Sequence, residues 1–452
     1  MNSEIEAVLR QHPDVADACI GADAIYVVPR DHSADDRVSG WQDLFEGTYE
    51  WGAEAGEADF NIVGWHSSFT GEPLPDAEMR VWVESTVDRV LAHKPRRVLE
   101  IGCGTGLLLS RIAPRTSAYW ATDFSSAALD YVRRNVVPGV PSDVRLLHRQ
   151  ANDFRGLHDE SFDVVVLNSV VQYFPDVRYL RQVITEAVAL LRPGGTVFLG
   201  DLRPLRLQEA FCAEVELARA EPGLIVAQLR ERMHQRAEQE QELVVDPELF
   251  SLLRAEIPAI TDVEVMLKRG AYRNELSQYR YDVVLHVGGA ASAPRPAVVE
   301  WAGDFDAVEI PAEGLVIDNV PNARLSSINA WLVALKNARG SAQVDALRPV
   351  QQDGIDPEDW WGLARSRGFE ADIAWSGDNG RYRVALRPAG SARWAQEVSP
   401  ARSVHQHVNN PLLAQVGPRI SERIRGYLQE TLPQHEIPAS VVVLPELPAV
   451  IG

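Results

Sequence analysis

The residues with the plainest chemical content stand at 100–106, where Glu100, Gly102, Gly104 and Gly106 alternate with Ile101, Cys103 and Thr105 directly after the apolar pair Val98 and Leu99. Glycines at this spacing let the backbone turn sharply and let a flat ligand lie against the peptide where a Cβ would stand in the way. A second acid, Asp123, closes the next apolar run (Ala118, Tyr119, Trp120, Ala121, Thr122). It falls about 20 residues on, where an open α/β sheet holds a ribose hydroxyl pair. The spacing E-x-G-x-G-x-G departs from the dinucleotide pattern G-x-G-x-x-G, and a carboxylate at a strand end suits a cation better than a pyrophosphate. The expected ligand is a nucleoside that carries positive charge and no phosphate.

S-adenosylmethionine (SAM), with an amino group and a sulfonium, meets that description. At these residues the sequence resembles the class I SAM-dependent methyltransferases. The resemblance implies an α/β, Rossmann-like fold with a doubly wound, mostly parallel sheet, and S-adenosylhomocysteine as product. It places Glu100, Gly102, Gly104, Gly106, Asp123 and Phe124 in the cofactor site. Asn152, Asp153 and Phe154 follow a third strand at 144–148. There Asp153 can accept the adenine amine with Phe154 flanking the ring, or simply cap a helix. An apolar run at 162–167 delivers Asn168 and Ser169 to the carboxyl edge of the sheet, with backbone groups near the sulfonium. Gln172 and Tyr173 face the acceptor, although helix-start packing accounts equally well for Tyr173. Asp201, at a later strand end, orients an amine or pairs with Arg203.

The elements that must position these residues follow from alternation of strand-like and helix-like runs between 98 and 200, which implies a parallel sheet with helices on both faces. At 452 residues the chain exceeds one typical core, so two or three domains are expected. The divisions are 1–30, 31–95 as an N-terminal lid, 96–288 as the cofactor core, a small α+β annex at 297–400 after a Gly/Ala/Pro-rich linker, and 418–452. Sixty-four acidic residues against 44 Lys plus Arg give a formal charge of -20, which disfavours nucleic acid as a substrate. Cys19, Cys103 and Cys212 lack disulfide or metal spacing and fit a reducing compartment. No apolar run approaches a bilayer crossing, so no membrane association and a cytoplasmic location are expected. No metal is expected either, because His66, His148 and His286 have no partner ligands at useful spacing.

The two ends belong together. Residues 4–18 resemble the small C-terminal subdomain of nonribosomal peptide synthetase adenylation domains just past the eighth core motif. Ile424, Arg425, Gly426, Tyr427 and Leu428, with Leu432, Pro433, Ile437, Pro438 and the run 444–448, resemble the ninth motif and its continuation. Between them, 41–288 resembles the N-methyltransferases embedded in that family, including Lys268, Arg269, Gly270, Arg273, Asn274 and Leu276. The resemblance implies a methyltransferase interrupting the subdomain and methylating the α-amine of an aminoacyl thioester on a peptidyl carrier protein. The rest of the adenylation domain, and a small activator protein, are the other implied partners. Asn61, Trp65 and Ser67 fall in the family's segment covering the SAM pocket, and Glu275 is a candidate to hold the ammonium, or a solvated turn residue. C-, S- or O-methylation of a carrier-bound intermediate, or a silent or epimerising domain, would share the cofactor residues.

Overall fold

The computed structural model describes residues 2–21, 24–30, 34–51, 57, 59–157, 161–289, 292–350, 353–377, 380–395, 404–431, 440–444 and 447. Its centre is a seven-stranded sheet built from β1 (Arg97–Ile101), β2 (Ala118–Asp123), β3 (Asp143–His148), β4 (Phe162–Asn168), β5 (Leu191–Leu202), β6 (Ile260–Leu267) and β7 (Tyr281–Val287). The order across the sheet is β3-β2-β1-β4-β5-β7-β6, parallel except for β7, which runs antiparallel to both neighbours. The order reverses at β1 and β4, and ligands bind above the strand ends at such a switch point. β4 is buried along its whole length, as its run of Val, Val, Val and Leu requires when helices cover both faces.

One local expectation changes. Pro193, Gly194 and Gly195, which read as a turn ahead of a strand, sit inside β5 as an irregularity: Leu191 pairs with Phe162, and regular pairing resumes at Thr196 with Val164. Pro193 has no N–H to give the ladder, and Gly194 takes a left-handed φ of 88°, so the segment bows out and rejoins.

The annex is a four-stranded sheet of Val298–Glu300, Leu315–Val320, Arg381–Pro388 and Phe369–Ser376, in that spatial order, with helices Ser326–Asn337 and Pro357–Ser366. It has no core of its own. Ile317, Val320, Leu325, Ile328 and Trp360 belong to the same buried apolar cluster as β4, β5 and helix Gln208–Ala218. Arg393 reaches from the annex to Asp262 on β6, the edge strand of the central sheet, which is thereby covered.

The chain ends form a third sheet. Ala24–Pro29 pairs antiparallel with Val15–Ile20 and parallel with Ser440–Val443. Helices Asn2–Gln11 and Pro411–Thr431 bury Ile5, Leu9, Ile420, Ile424 and Leu428 against it in a separate small core. The second helix starts at Pro411, ahead of the expected boundary at 418, and carries Pro418 inside it. Leu432, Pro433, Ile437, Pro438, Pro445 and Glu446 lie outside the described residues. Among the described residues no helix is long and apolar enough to cross a membrane, and the three cysteines are free and buried.

Candidate active site

β1 ends in the glycine turn because nothing larger fits. Gly102 has φ 77° and a Cβ there would meet Val170 Cγ2 at 2.4 Å, while Gly104 has φ 50° with the Tyr49 hydroxyl 3.1 Å from its missing Cβ. Asp123, at the end of β2, accepts from Gly104 N at 2.8 Å and from Ser125 N at 2.9 Å, so the second acid clamps the turn made by the first strand. Glu100 is 3% exposed and accepts from the Tyr119 hydroxyl at 2.8 Å. Burial pushes its carboxyl up to about 8, the Tyr119 hydrogen bond pulling back and Asp123 adding to the rise. Burial likewise takes Asp123 to about 6, against the pull of the Ser125 and Gly104 amides. Two buried, weakly acidic carboxyls beside an open cradle are poised to lose their protons to a bound cation.

These groups line a cleft of about 1150 Å³, open solvent at its mouth included, above the β1–β4 switch point. Glu100, Gly102, Gly104, Asp123, Phe124, Trp65, Asn168, Ser169 and Tyr173 are all on its wall. The cradle, the paired acids and the absence of a cationic phosphate seat in the glycine turn fit SAM.

The other expected residues stand behind or beside that wall. Gly106, φ 81°, packs on Val132. Asn61 is buried, its Oδ1 accepting from Val63 N and its carbonyl from the Thr105 hydroxyl, which pins the covering segment to the turn. Ser67 Oγ accepts from Phe69 N and caps a local turn. Past β3 it is Arg149 and Ala151 that reach the cleft. Asn152 does not, Phe154 is 4% exposed in the main apolar core, and Asp153 forms a two-pronged pair with Arg155 that holds its carboxyl at about 2. The turn after a strand presents alternate residues, and here the apolar ring goes inward rather than to the ligand. Gln172 is buried, with Oε1 unpaired, and its carbonyl accepts from Leu243 N.

Asp201 does not pair with Arg203. Arg203 lies between Glu240 and Glu242, whereas Asp201, fully buried at φ 66°, accepts from the Trp82 indole N–H at 3.0 Å and from the Ser169 hydroxyl at 3.1 Å. Lys268 Nζ is 3.7 Å from it and 3.0 Å from Asp282, which Arg89 also contacts. Glu275 is buried rather than solvated. It accepts from Ser68 N at 2.6 Å and Ser68 Oγ at 2.8 Å, so it fastens the covering segment.

Sequence reasoning passed over one wall entirely. Helix Ala34–Trp51 lays Val38, Phe45 and Tyr49 over the cleft, with Phe45 4.9 Å from the Tyr173 ring and 6.1 Å from Phe124. Gln42 Nε2 donates to Phe124 O at 2.8 Å, and Glu46 accepts from Ser126 and Ala127 at the start of helix Ser126–Tyr131. The spacing Val38, Trp41, Phe45, Tyr49 was the available signal: three- and four-residue steps place these side chains on one helical face. Among the described residues, the one carboxylate and histidine cluster with metal-like spacing is Asp246, Glu248 and His407, and Arg206 occupies both of its carboxylates.

Residues 99–197 match the family described as "Methyltransferase domain". The chain carries a methyltransferase domain of the kind embedded in nonribosomal peptide synthetases. It is 41% identical over 98% of its length to chondramide synthase cmdD of Chondromyces crocatus, of which that stretch is 12%. It is 36% identical over 98% of its length to a probable non-canonical nonribosomal peptide synthetase, CymA, of Salinispora arenicola, covering 6% of that protein. The chain thus spans a small part of the relatives it matches. Among solved structures it is similar to the N-methyltransferase NodS of Bradyrhizobium japonicum in complex with S-adenosyl-L-homocysteine, with 17% identity and a TM-score of 0.35 over 54% of this chain and 98% of that one.

Proposed function

We propose that this methyltransferase domain transfers a methyl group to the α-amine of an aminoacyl thioester carried by a peptidyl carrier protein. The observation that supports this most is the terminal sheet, in which Ser440–Val443 pairs with Ala24–Pro29. The methyltransferase is contained between two strands of one small host unit, the placement that in the resembling synthetases goes with α-amine methylation. The carrier protein, the rest of the host adenylation domain and a small activator protein are its proposed partners.

SAM is the cofactor, and it supplies an electrophilic methyl carbon on a sulfonium. The glycine turn gives the flat approach, and Glu100 and Asp123 supply the negative charge at two strand ends. Chemistry at such a carbon needs a neutral amine held in line at near-attack distance rather than a strong base. An α-amine with a reference pKa of ~8 is partly neutral already, so a water molecule suffices to take its proton. Tyr173, its hydroxyl pushed well above the ordinary tyrosine range by burial, remains a neutral phenol able to hydrogen-bond that amine. Asp201 acts through Ser169 and Trp82, and Glu275 through Ser68, so both support the acceptor side without reaching the cleft.

The test is mass spectrometry of a panel of aminoacyl carrier thioesters incubated with the protein and SAM. A methyl on the α-nitrogen is the expected product. A methyl on a side chain, on the α-carbon, or on none of the panel overturns the proposal.

A further inference from the structure

The annex contributes no residue to the methyl-transfer cleft, yet it delivers a single buried guanidinium to the segment that supports the cleft. Arg324, 2% exposed, precedes the annex helix Ser326–Asn337. Its Nη1 donates to the carbonyls of Lys268 at 2.7 Å and Ser277 at 3.2 Å, and its Nη2 to that of Gly270 at 2.9 Å. Asp356, at the start of helix Pro357–Ser366, accepts from Arg324 Nε at 3.2 Å and so fixes the fork. The contact is returned: Gln278 Nε2 donates to Arg324 O at 2.8 Å, and Glu358 takes Arg269 in a two-pronged pair while accepting from Gly270 N.

The segment gripped in this way, 268–278, holds the acceptor side at two points. Lys268 faces Asp201 and Asp282, and Asp201 holds the Trp82 indole and the Ser169 hydroxyl, both on the cleft wall. Glu275 holds Ser68, three residues past Trp65, whose ring lies 4.8 Å from Trp82. We propose that the annex is a brace in cis for the methyl acceptor, and that Arg324 is its positioning residue, fixing segment 268–278 and through it Trp82, Ser169 and the covering segment. A planar fork with fixed donors can bridge three carbonyls at once, which the point charge of a lysine cannot. Removing it leaves buried carbonyls unpaired, and the segment relaxes to recover water. The glycine cradle has no contact with Arg324 and keeps its shape.

The role rests on the proposed methylation of a thioester-bound amine, and its test has one arm that does not. Hydrogen exchange in Arg324→Lys should quicken at 268–279 and 66–70, with 100–106 and β4 unchanged. Binding of S-adenosylhomocysteine should stay within about threefold. Turnover of an aminoacyl thioester should fall tenfold to a hundredfold, the order expected when a reacting group is misplaced by about 1 Å. Arg324→Ala should do the same more strongly. Unchanged exchange at 268–279 overturns the brace, and so does quickening that extends equally through β4, which would make Arg324 a general stabiliser. Unaltered turnover in a variant whose segment has loosened overturns the positioning role. If the unsubstituted protein methylates no thioester, the acceptor assignment fails while the exchange result still decides the brace.

Discussion

At Gly102 two requirements coincide, a left-handed φ of 77° and a Val170 methyl 2.4 Å from where a Cβ would stand, so Gly102→Ala should be among the costliest single-atom changes in the domain. A loss of about 1–3 kcal/mol in stability is expected together with weakened SAM binding, seen in thermal melts and calorimetry. SAM affinity equal to that of the unsubstituted protein would separate the turn from the cofactor. Asp123→Ala removes the acceptor of the Gly104 and Ser125 amides and should abolish measurable SAM binding. Glu100 makes a prediction about pH. A carboxyl raised from 4.5 to about 8 by burial favours the folded state fully only below the lower value, and the contribution is lost as pH rises through the higher. Melting temperature of the ligand-free protein should therefore decline from about pH 5 to pH 8, and Glu100→Gln should flatten that decline. The residues that were legible in the sequence are those whose type the backbone dictates: glycines at positive φ and acids at strand ends. Asp153 and Phe154 were not, because a one-residue difference in the turn after β3 exchanges inward and outward faces, and only packing decides it.

For whole elements the clearest contrast is between β4 and helix Ala34–Trp51. β4 announces itself as an unbroken apolar run, the pattern of a strand covered on both sides. The helix is the more informative omission, since its aromatic face covers ligand space rather than a core and its low overall hydrophobicity hides that face among Asp, Gln, Glu and Gly. Phe45→Ala should weaken SAM binding about tenfold while costing little stability, because it removes a wall shared with Tyr173 and Phe124 and not a core contact. Equal binding by fluorescence titration would mean that the helix covers the acceptor alone. Similar context dependence explains Asp201 and Glu275, whose strand-end and helix-start positions were evident, but whose partners Trp82 and Ser68 lie more than a hundred residues away in sequence.

Three sheets but two apolar cores make up the described molecule. A glycine- and proline-rich segment marked the annex as separate, yet its apolar side chains are continuous with those of the central sheet, a fact that no linker composition reveals. The terminal sheet does stand on its own core, so Ile424→Ala should cost about 2–4 kcal/mol there, read by hydrogen exchange of Val15–Ile20 and Ala24–Pro29, with SAM affinity unchanged. A parallel loss of SAM binding would show the two cores to be one cooperative unit. Helix Pro411–Thr431 joins them: Leu412 N donates to Pro175 O and Gln415 accepts from Arg37 at the methyltransferase end, while Ile420, Ile424 and Leu428 are buried at the other. For anyone wishing to transplant this domain between synthetases, that helix is a seam that should not be cut. Its first turns belong to the traveller and its last to the receiving scaffold, so a splice at 418 would sever both sets of anchors, whereas one that carries 411–431 whole asks the new scaffold only for a matching strand.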